Sequence, residues 1–513
     1  MKRQNLLAAI SVTSLLLSAS WQTAATDDKE AKSQQPVIKA YADLFTQEEL
    51  TPKGEYYEAT VPDTLDLAER ARLAVRGLIE FGNPERSYEN YQIGYFNTQP
   101  AYMSHFGAVA CNWGKIAESL LMCRHMCGST ELLAEEEEMF KGILRLINEK
   151  GEFTVDASNS WVWETQSNES LIPPNTSRML LAFMVQDQLR PSDKLKKLIS
   201  QMTDSICAAA KVEGEAAYVP GRKEPPWIVG SSGVLGDFQF IWAEGESLRG
   251  LARTYALTGN RKYLDLGEKF KKALLNPIYW TPEVSPKAAV TSEHGQFNGH
   301  IHSYAQTLMG LLWYADLTND AQLKEFVRES YEFARIFGIA RIGMFSEMCA
   351  TGDMTWLAIK LSDLGVGDYW EDVDRYVRNQ LVEAQAFDAE RMHKANATMP
   401  KLVEMEMPEY AVKGFTTDHV IDRFIGAWRS DANNPAMSYP QNFIFVVCCS
   451  GNCPSAMYGA WEATVRCQDD IAQVNLLLNR ASPWLDIDSY LPYEGKVVIR
   501  NKSAKQMFIR IPR

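Results

Sequence analysis

Positive charge is in short supply in this chain. Its 52 Lys and Arg face 65 Asp and Glu, leaving a formal net charge of −13. Nucleic acids and anionic membranes call for a basic face, so this balance argues against both as partners. Histidine is scarce, with 7 among 513 residues. There is no HExxH zinc helix, no GxSxG elbow, no phosphate loop and no dinucleotide fingerprint, and no two cysteines stand as CxxC. Beyond the N-terminal segment no unbroken apolar run is long enough to span a bilayer. With 46% hydrophobic residues, what remains is a large acidic chain with ample material for a core.

The N-terminus, MKRQNLLAAISVTSLLLSASWQTAATDDKE, reads as an export signal. Lys2 and Arg3 precede a short apolar stretch from Leu6 to Ala19, and Thr23, Ala24 and Ala25 offer small residues for cleavage. The expectation is a signal over residues 1–25, a polar linker over 26–55, and a mature protein in the periplasm or outside the cell.

From about residue 56 to 470 the pattern is helical and repetitive. In GESLRGLARTYALTGNRKYLDLGEKF, the residues Leu248, Leu251, Ala252, Tyr255 and Ala256 share a helical face, and Thr258-Gly259-Asn260 breaks the helix before a second begins. The plan recurs around Thr318-Asn319-Asp320, around Gly128-Ser129, and around Gly365 to Gly367. Helix hairpins of similar length bury their apolar faces by stacking side by side. A closed α/α toroid suits long loops and many Trp better than an open solenoid does. After residue 470, IAQVNLLLN, WLDIDSYLP, GKVVIRN and QMFIRIP read as short strands. The fold class expected is therefore mainly α: an (α/α)6 toroid over 56–470, then a short, incomplete β-sandwich segment over 471–513.

Nine cysteines is an odd number, so at least one stays free, pairs between chains or binds metal. Cys448 and Cys449 are adjacent, a spacing that strains a disulfide between them. FSEMC places Glu347 one residue before Met348 and two before Cys349. Together Glu347, Cys349, Cys448 and Cys449 supply one oxygen and three sulfurs, a set suited to tetrahedral zinc. Buried unreactive thiols, or a disulfide from Cys449 to Cys453, account for the same residues. Carboxylates near aromatics are candidates for glycan chemistry: Glu164, Asp237, Glu244, Glu246, Glu293 and Glu347. His300 and His302 stand at the start of a hairpin helix, and Trp161, Trp163, Trp227 and Trp242 are candidates for stacking on sugar rings.

Three stretches, SEMCATGDMTWLAIKLSDLGVGDYWEDVDRYVRNQ, CCSGNCPSAMYGAWEA and VNLLLNRASPWLDIDSYLPYEGKVVIRNK, resemble glycoside hydrolase family 127, the β-L-arabinofuranosidases. The likeness runs from about residue 90 to the end. It implies an (α/α)6 catalytic barrel followed by β-sandwich domains. It also implies that Cys448 is the nucleophile and that zinc is held by Glu347, Cys349, Cys448 and Cys449. The family's acid/base is a glutamate ahead of the Glu-x-Cys pair. Here FGIARIGMFSEM has no carboxylate before Glu347, and Glu332, within the helical pattern VRESYEFAR, is the one at about that separation. His300 matches a family histidine, Glu246 stands where relatives often carry a sugar-binding histidine, and Trp163 is a candidate for sugar contact. The function so implied is an exported, zinc-dependent, retaining glycosidase acting on a carbohydrate such as an L-arabinofuranoside. Two alternatives stand beside it. One is a relative that binds glycan without turnover; the other is a carboxylate-based toroid of the uronyl hydrolase or lyase kind.

Overall fold

Six long helices are buried on every side, and six others are buried along one stripe only. That division fixes two concentric layers, because a helix apolar all round has no face to offer water. The computed structural model describes residues 64–104, 109–153, 173–219, 238–280, 295–345, 347–403, 414–430 and 444–512. The signal and linker expected over 1–55 lie outside these residues, as do Trp161, Trp163, Glu164, Trp227, Asp237 and Glu293.

The inner helices are α2 (Val109–Cys127), α4 (Pro173–Leu189), α6 (Phe238–Thr258), α8 (Ile301–Thr318), α10 (Met348–Asp363) and α14 (Val447–Thr464). Each packs on the next, and α14 packs back on α2, so the ring closes. The outer helices are α1 (Leu67–Glu80), α3 (Leu133–Arg145), α5 (Asp193–Ala209), α7 (Arg261–Leu274), α9 (Ala321–Ala334) and α11 (Trp370–Tyr376). α5, α7, α9 and α11 pack on α4, α6, α8 and α10, while α1 bridges α2 and α14. α3 is tied to α2 by the buried ion pair of Arg124 and Glu136 at 2.6 Å. Two short helices, α12 (Ala389–Asn396) and α13 (Val420–Arg423), lie in the connection before α14. This is the expected (α/α)6 toroid.

The hairpin turns explain the alternation. Side chains of Ser192, Asn260 and Asp320 accept backbone N–H bonds at the starts of α5, α7 and α9, each satisfying a donor that the first turn leaves open. Asn319 takes a left-handed conformation that ends α8. With so few residues between partners, successive helices must run antiparallel. All six inner helices therefore run the same way and bring their N-termini to one mouth of the ring.

A four-stranded antiparallel sheet is the element the sequence pattern did not reveal. Its order is Phe415–Thr416, Tyr102–Ser104, Ile93–Tyr95, Ile444–Val446. Ile93 is paired with Val446, and α14 starts at the next residue. The strand thus delivers Cys448 and Cys449 directly into the first turn of an inner helix. The four C-terminal strands expected from the sequence are present at Ile471–Val474, Leu485–Ser489, Val497–Asn501 and Gln506–Ile509. They join Val465–Gln468 and Arg480–Ala481 in two three-stranded sheets around a small core of Val465, Ala472, Val474, Leu485 and Ile487. Arg480 lies 3.5 Å from the Trp461 ring centroid, anchoring this unit on the end of α14. Among the described residues no helix is long and apolar enough to cross a membrane.

Candidate active site

Three helix starts meet at one mouth. α8 brings His300 and His302, α10 brings Glu347 and Cys349, and α14 brings Cys448 and Cys449. Neither α10 nor α14 has a side-chain cap; the first N–H of each is taken by a backbone carbonyl, Met348 by Ser430 and Val447 by Gln92, and the positive ends of the two helices lie at the site.

The Sγ atoms of Cys349, Cys448 and Cys449 all lie within 4.8 Å of one another. Cys349 donates to Cys449 at 3.2 Å, and Cys448 lies 3.9 Å from Cys449. No two are bonded: each of the eight described cysteines is free, Cys453 included. Cys453 instead donates to the carbonyl of Met348 at 3.4 Å. The negative charge of the cluster belongs on Cys448. Hydrogen bonds from Cys349 and Cys449, then the charge of Lys115, hold its pKa well below the ordinary thiol value. Burial, with hydrogen bonding to the neighbouring sulfurs, pushes the Cys349 thiol well up.

Glu347 stands just before the first turn of α10. Its Oε2 meets His300 Nε2 at 2.6 Å, while His300 Nδ1 meets Ser303 Oγ at 2.9 Å. Burial works against the charged form of His300, but the Glu347 hydrogen bond and charge outweigh it and raise the pKa. Below the mouth a polar layer fills the axis. His302 Nδ1 lies 2.5 Å from Asp353, and its Nε2 lies 2.9 Å from Lys115 Nζ. Gln306 and Asn452 also donate to Asp353, at 2.5 and 2.8 Å. Arg178 bridges Glu118 at 2.7 Å and Glu246 at 3.4 Å.

Of the residues singled out in the sequence, the structure gathers His300, Glu347, Cys349, Cys448 and Cys449 at one place. Glu246 lies one layer deeper. It is 0% exposed and engaged with Arg178, so no sugar reaches it in this conformation. Trp242 is half-buried beneath Lys115, whose Nζ is 5.7 Å from its ring centroid. Glu332 is elsewhere, on outer helix α9, where its carboxylate accepts from Arg335 at 2.7 Å. Lys115, Asp353, Gln306 and Asn452 escaped the sequence reading. A signal existed: Gln306, Asp353 and Asn452 each follow a site residue (His302, Cys349, Cys448) by four positions, the spacing that stacks polar groups down one face of an apolar helix.

No protein-family model matches this chain, and no curated protein matches it either. Solved structures do. The fold is similar to that of a family 127 glycoside hydrolase, a β-arabinofuranosidase, with a TM-score of 0.52 and 12% identity over 93% of this chain and 68% of that one. It is similar to a family 76 glycoside hydrolase from a bovine Bacteroides thetaiotaomicron strain, with a TM-score of 0.51 and 13% identity over 79% of this chain and 78% of the other. A family 76 α-mannanase of Bacteroides thetaiotaomicron matches with a TM-score of 0.51 and 8% identity over 77% and 95%. The chain thus has the α/α-toroid fold of these glycoside hydrolases.

Proposed function

We propose that this protein is an exported, zinc-dependent, retaining glycoside hydrolase with Cys448 as nucleophile, acting on L-arabinofuranosides or related glycans. The observation that carries the reading is the convergence of three free sulfurs at the N-terminal mouth of a toroid whose fold a β-arabinofuranosidase shares.

The donor set fits zinc. A tetrahedral ion with bonds of about 2.3 Å to sulfur separates its sulfurs by about 3.8 Å, and the separations of 3.2 and 3.9 Å straddle that value. Cys349, Cys448 and Cys449 would hold the ion; the Glu347 carboxylate lies outside this sulfur cluster, bonded to His300 at 2.6 Å, and would turn from the imidazole to serve as the fourth ligand. Bound zinc keeps its sulfur ligands deprotonated and out of disulfides. The chain's own residues do the rest. Cys448 Sγ forms a bond to the anomeric carbon as the glycosidic C–O bond breaks, the electron pair going to the leaving oxygen, which takes a proton from water. The hydroxide so formed then displaces the sulfur from the sugar, the C–S pair returns to Sγ, and two inversions give retention. His300, held by Ser303 and Glu347, presents an imidazole at the mouth for a sugar hydroxyl.

The test pairs metal content with turnover. The purified protein should carry about one zinc per chain, the Cys349→Ser variant should lose it, and Cys448→Ser should abolish hydrolysis of a furanoside. Hydrolysis unaffected by Cys448→Ser would overturn the reading in favour of a carboxylate-based toroid. The position of Glu332 on Arg335 favours a second reading, a glycan-binding relative without turnover. Zinc-dependent hydrolysis of any furanoside removes it.

A further inference from the structure

The toroid has a second mouth, where the inner helices end. There α8, α10 and α14 line one pocket: Trp313 comes from α8, Trp356, Lys360 and Asp363 from α10, and Glu462 from α14. Trp356, Lys360 and Asp363 follow one another at four and then three positions, the spacing that keeps side chains on one helix face. Arg466, just past the end of α14, closes the rim. The space is about 450 Å³ with its open mouth included, the size of a small-molecule site. None of these residues belongs to the cysteine site at the opposite mouth.

The aromatic wall of this pocket is fixed in place. The indole N–H of Trp356 donates to Ser455 Oγ at 3.2 Å, and the half-buried ring lies over Gly459. A Cβ at 459 would come within 2.9 to 3.0 Å of three ring carbons, so any side chain there displaces the indole. The polar groups are fixed as well, and paired. Lys360 Nζ donates to Asp316 at 2.6 Å and lies 4.6 Å from the Trp313 ring centroid. Arg466 donates to the two Glu462 oxygens at 2.8 and 3.2 Å and pairs with Asp363. An ammonium has three N–H bonds, so two remain beyond the one to Asp316, and a carboxylate oxygen that accepts from arginine still has a lone pair to offer.

We propose that this pocket is a second, non-catalytic carbohydrate site that takes one neutral sugar unit. A sugar ring lays its C–H face on the indole, while hydroxyls at its edge accept from the ammonium and donate to the carboxylates. Each charge in the pocket already faces an opposite one. A charged ligand would have to break a pair to be held, and a hydroxyl need not. Asp363 and Glu462 are both held by Arg466, which suits them to accepting hydroxyls rather than to the acid and nucleophile roles of a cleaving pair. The inference stands apart from the function proposed above, because the two mouths share no residue.

Fluorine NMR of the fluorotryptophan-labelled protein reads the pocket directly, the Trp356 resonance being the one missing from Trp356→Phe. L-Arabinose, D-galactose and D-mannose are the probes, with D-galacturonate as the charged counterpart of galactose. At least one neutral sugar should move the Trp356 resonance saturably with a Kd of about 1 mM, the affinity expected for a ligand of about ten non-hydrogen atoms. Lys360→Met removes a charged donor and should weaken that binding about 10-fold. Cys448→Ser, at the other mouth, should leave the shift and its Kd unchanged. A Trp356 resonance unmoved by about 50 mM of every neutral sugar overturns the inference. So does a tighter response to D-galacturonate than to D-galactose, or a response that Cys448→Ser abolishes. Each of these results leaves the proposed function standing, and failure of hydrolysis at the cysteine mouth leaves this site standing.

Discussion

Replacing Glu244 by Gln should stabilise the protein, and increasingly so as the pH rises. Glu244 lies on α6 and is 2% exposed. One carboxylate oxygen accepts the Val219 N–H at 2.9 Å, and the other is buried without a partner among the described residues. Burial pushes its pKa from the ordinary 4.5 up to about 8, against the weaker effect of the Val219 hydrogen bond. The native state thus binds this proton more tightly than the unfolded chain does. Its contribution to stability is fully present below about pH 4.5 and is lost as the pH rises to about 8. At about 1.4 kcal/mol for each pH unit, the whole window amounts to about 5 kcal/mol. Glutamine keeps the acceptor for Val219 and cannot ionise. Urea unfolding of both proteins at pH 5, 7 and 8.5 measures the difference directly. It should be under about 1 kcal/mol at pH 5, about 3 at pH 7 and about 5 at pH 8.5. Parallel stability curves across that range, or a variant less stable than the parent at pH 8.5, would refute the reasoning.

Two further substitutions test the packing that frames the site. Arg178→Met leaves Glu118 and Glu246 buried without their shared partner, and urea unfolding should show a loss of about 3–5 kcal/mol. Adding Glu246→Gln should recover part of it, and a single-variant loss under about 1 kcal/mol would contradict the pairing. Gly426 has a φ of +91°, and a Cβ there would strike the Leu73 carbonyl and come within 3.1 Å of the Gly77 nitrogen on α1. Gly426→Ala should therefore cost about 2–5 kcal/mol from strain and overpacking, read as a lowered Tm. An unchanged Tm would show that α1 yields at that contact.

Helix hairpins were legible in the sequence because their signals are local. The Thr258-Gly259-Asn260 and Thr318-Asn319-Asp320 turns separate helices where the spacing placed them. The C-terminal strands were legible for the same reason, through β-branched runs bounded by turn residues. The sheet of Ile93–Tyr95, Tyr102–Ser104, Phe415–Thr416 and Ile444–Val446 was not. Its strands hold two or three residues each, too short for periodicity to register, and two of its three pairings cross more than 300 positions. Glu332 shows the limit of separation along the chain as a guide: near in sequence to Glu347, it lies on the outer layer because α9 is an outer helix.

By itself the sequence determined the alternation of buried and half-buried helices, hence the layers. It also set the pairing of Glu347 with Cys349 and of Cys448 with Cys449, because residues two or fewer apart cannot be separated by folding. Closure of the ring brought these pairs together. Cys349 and Cys449 are 100 positions apart and 3.2 Å apart in space, since α10 and α14 are neighbours in the inner layer. The same closure set α14 against α2 and brought Lys115 against Gly451. No local pattern encodes that contact, because it depends on the first and last inner helices of the toroid meeting.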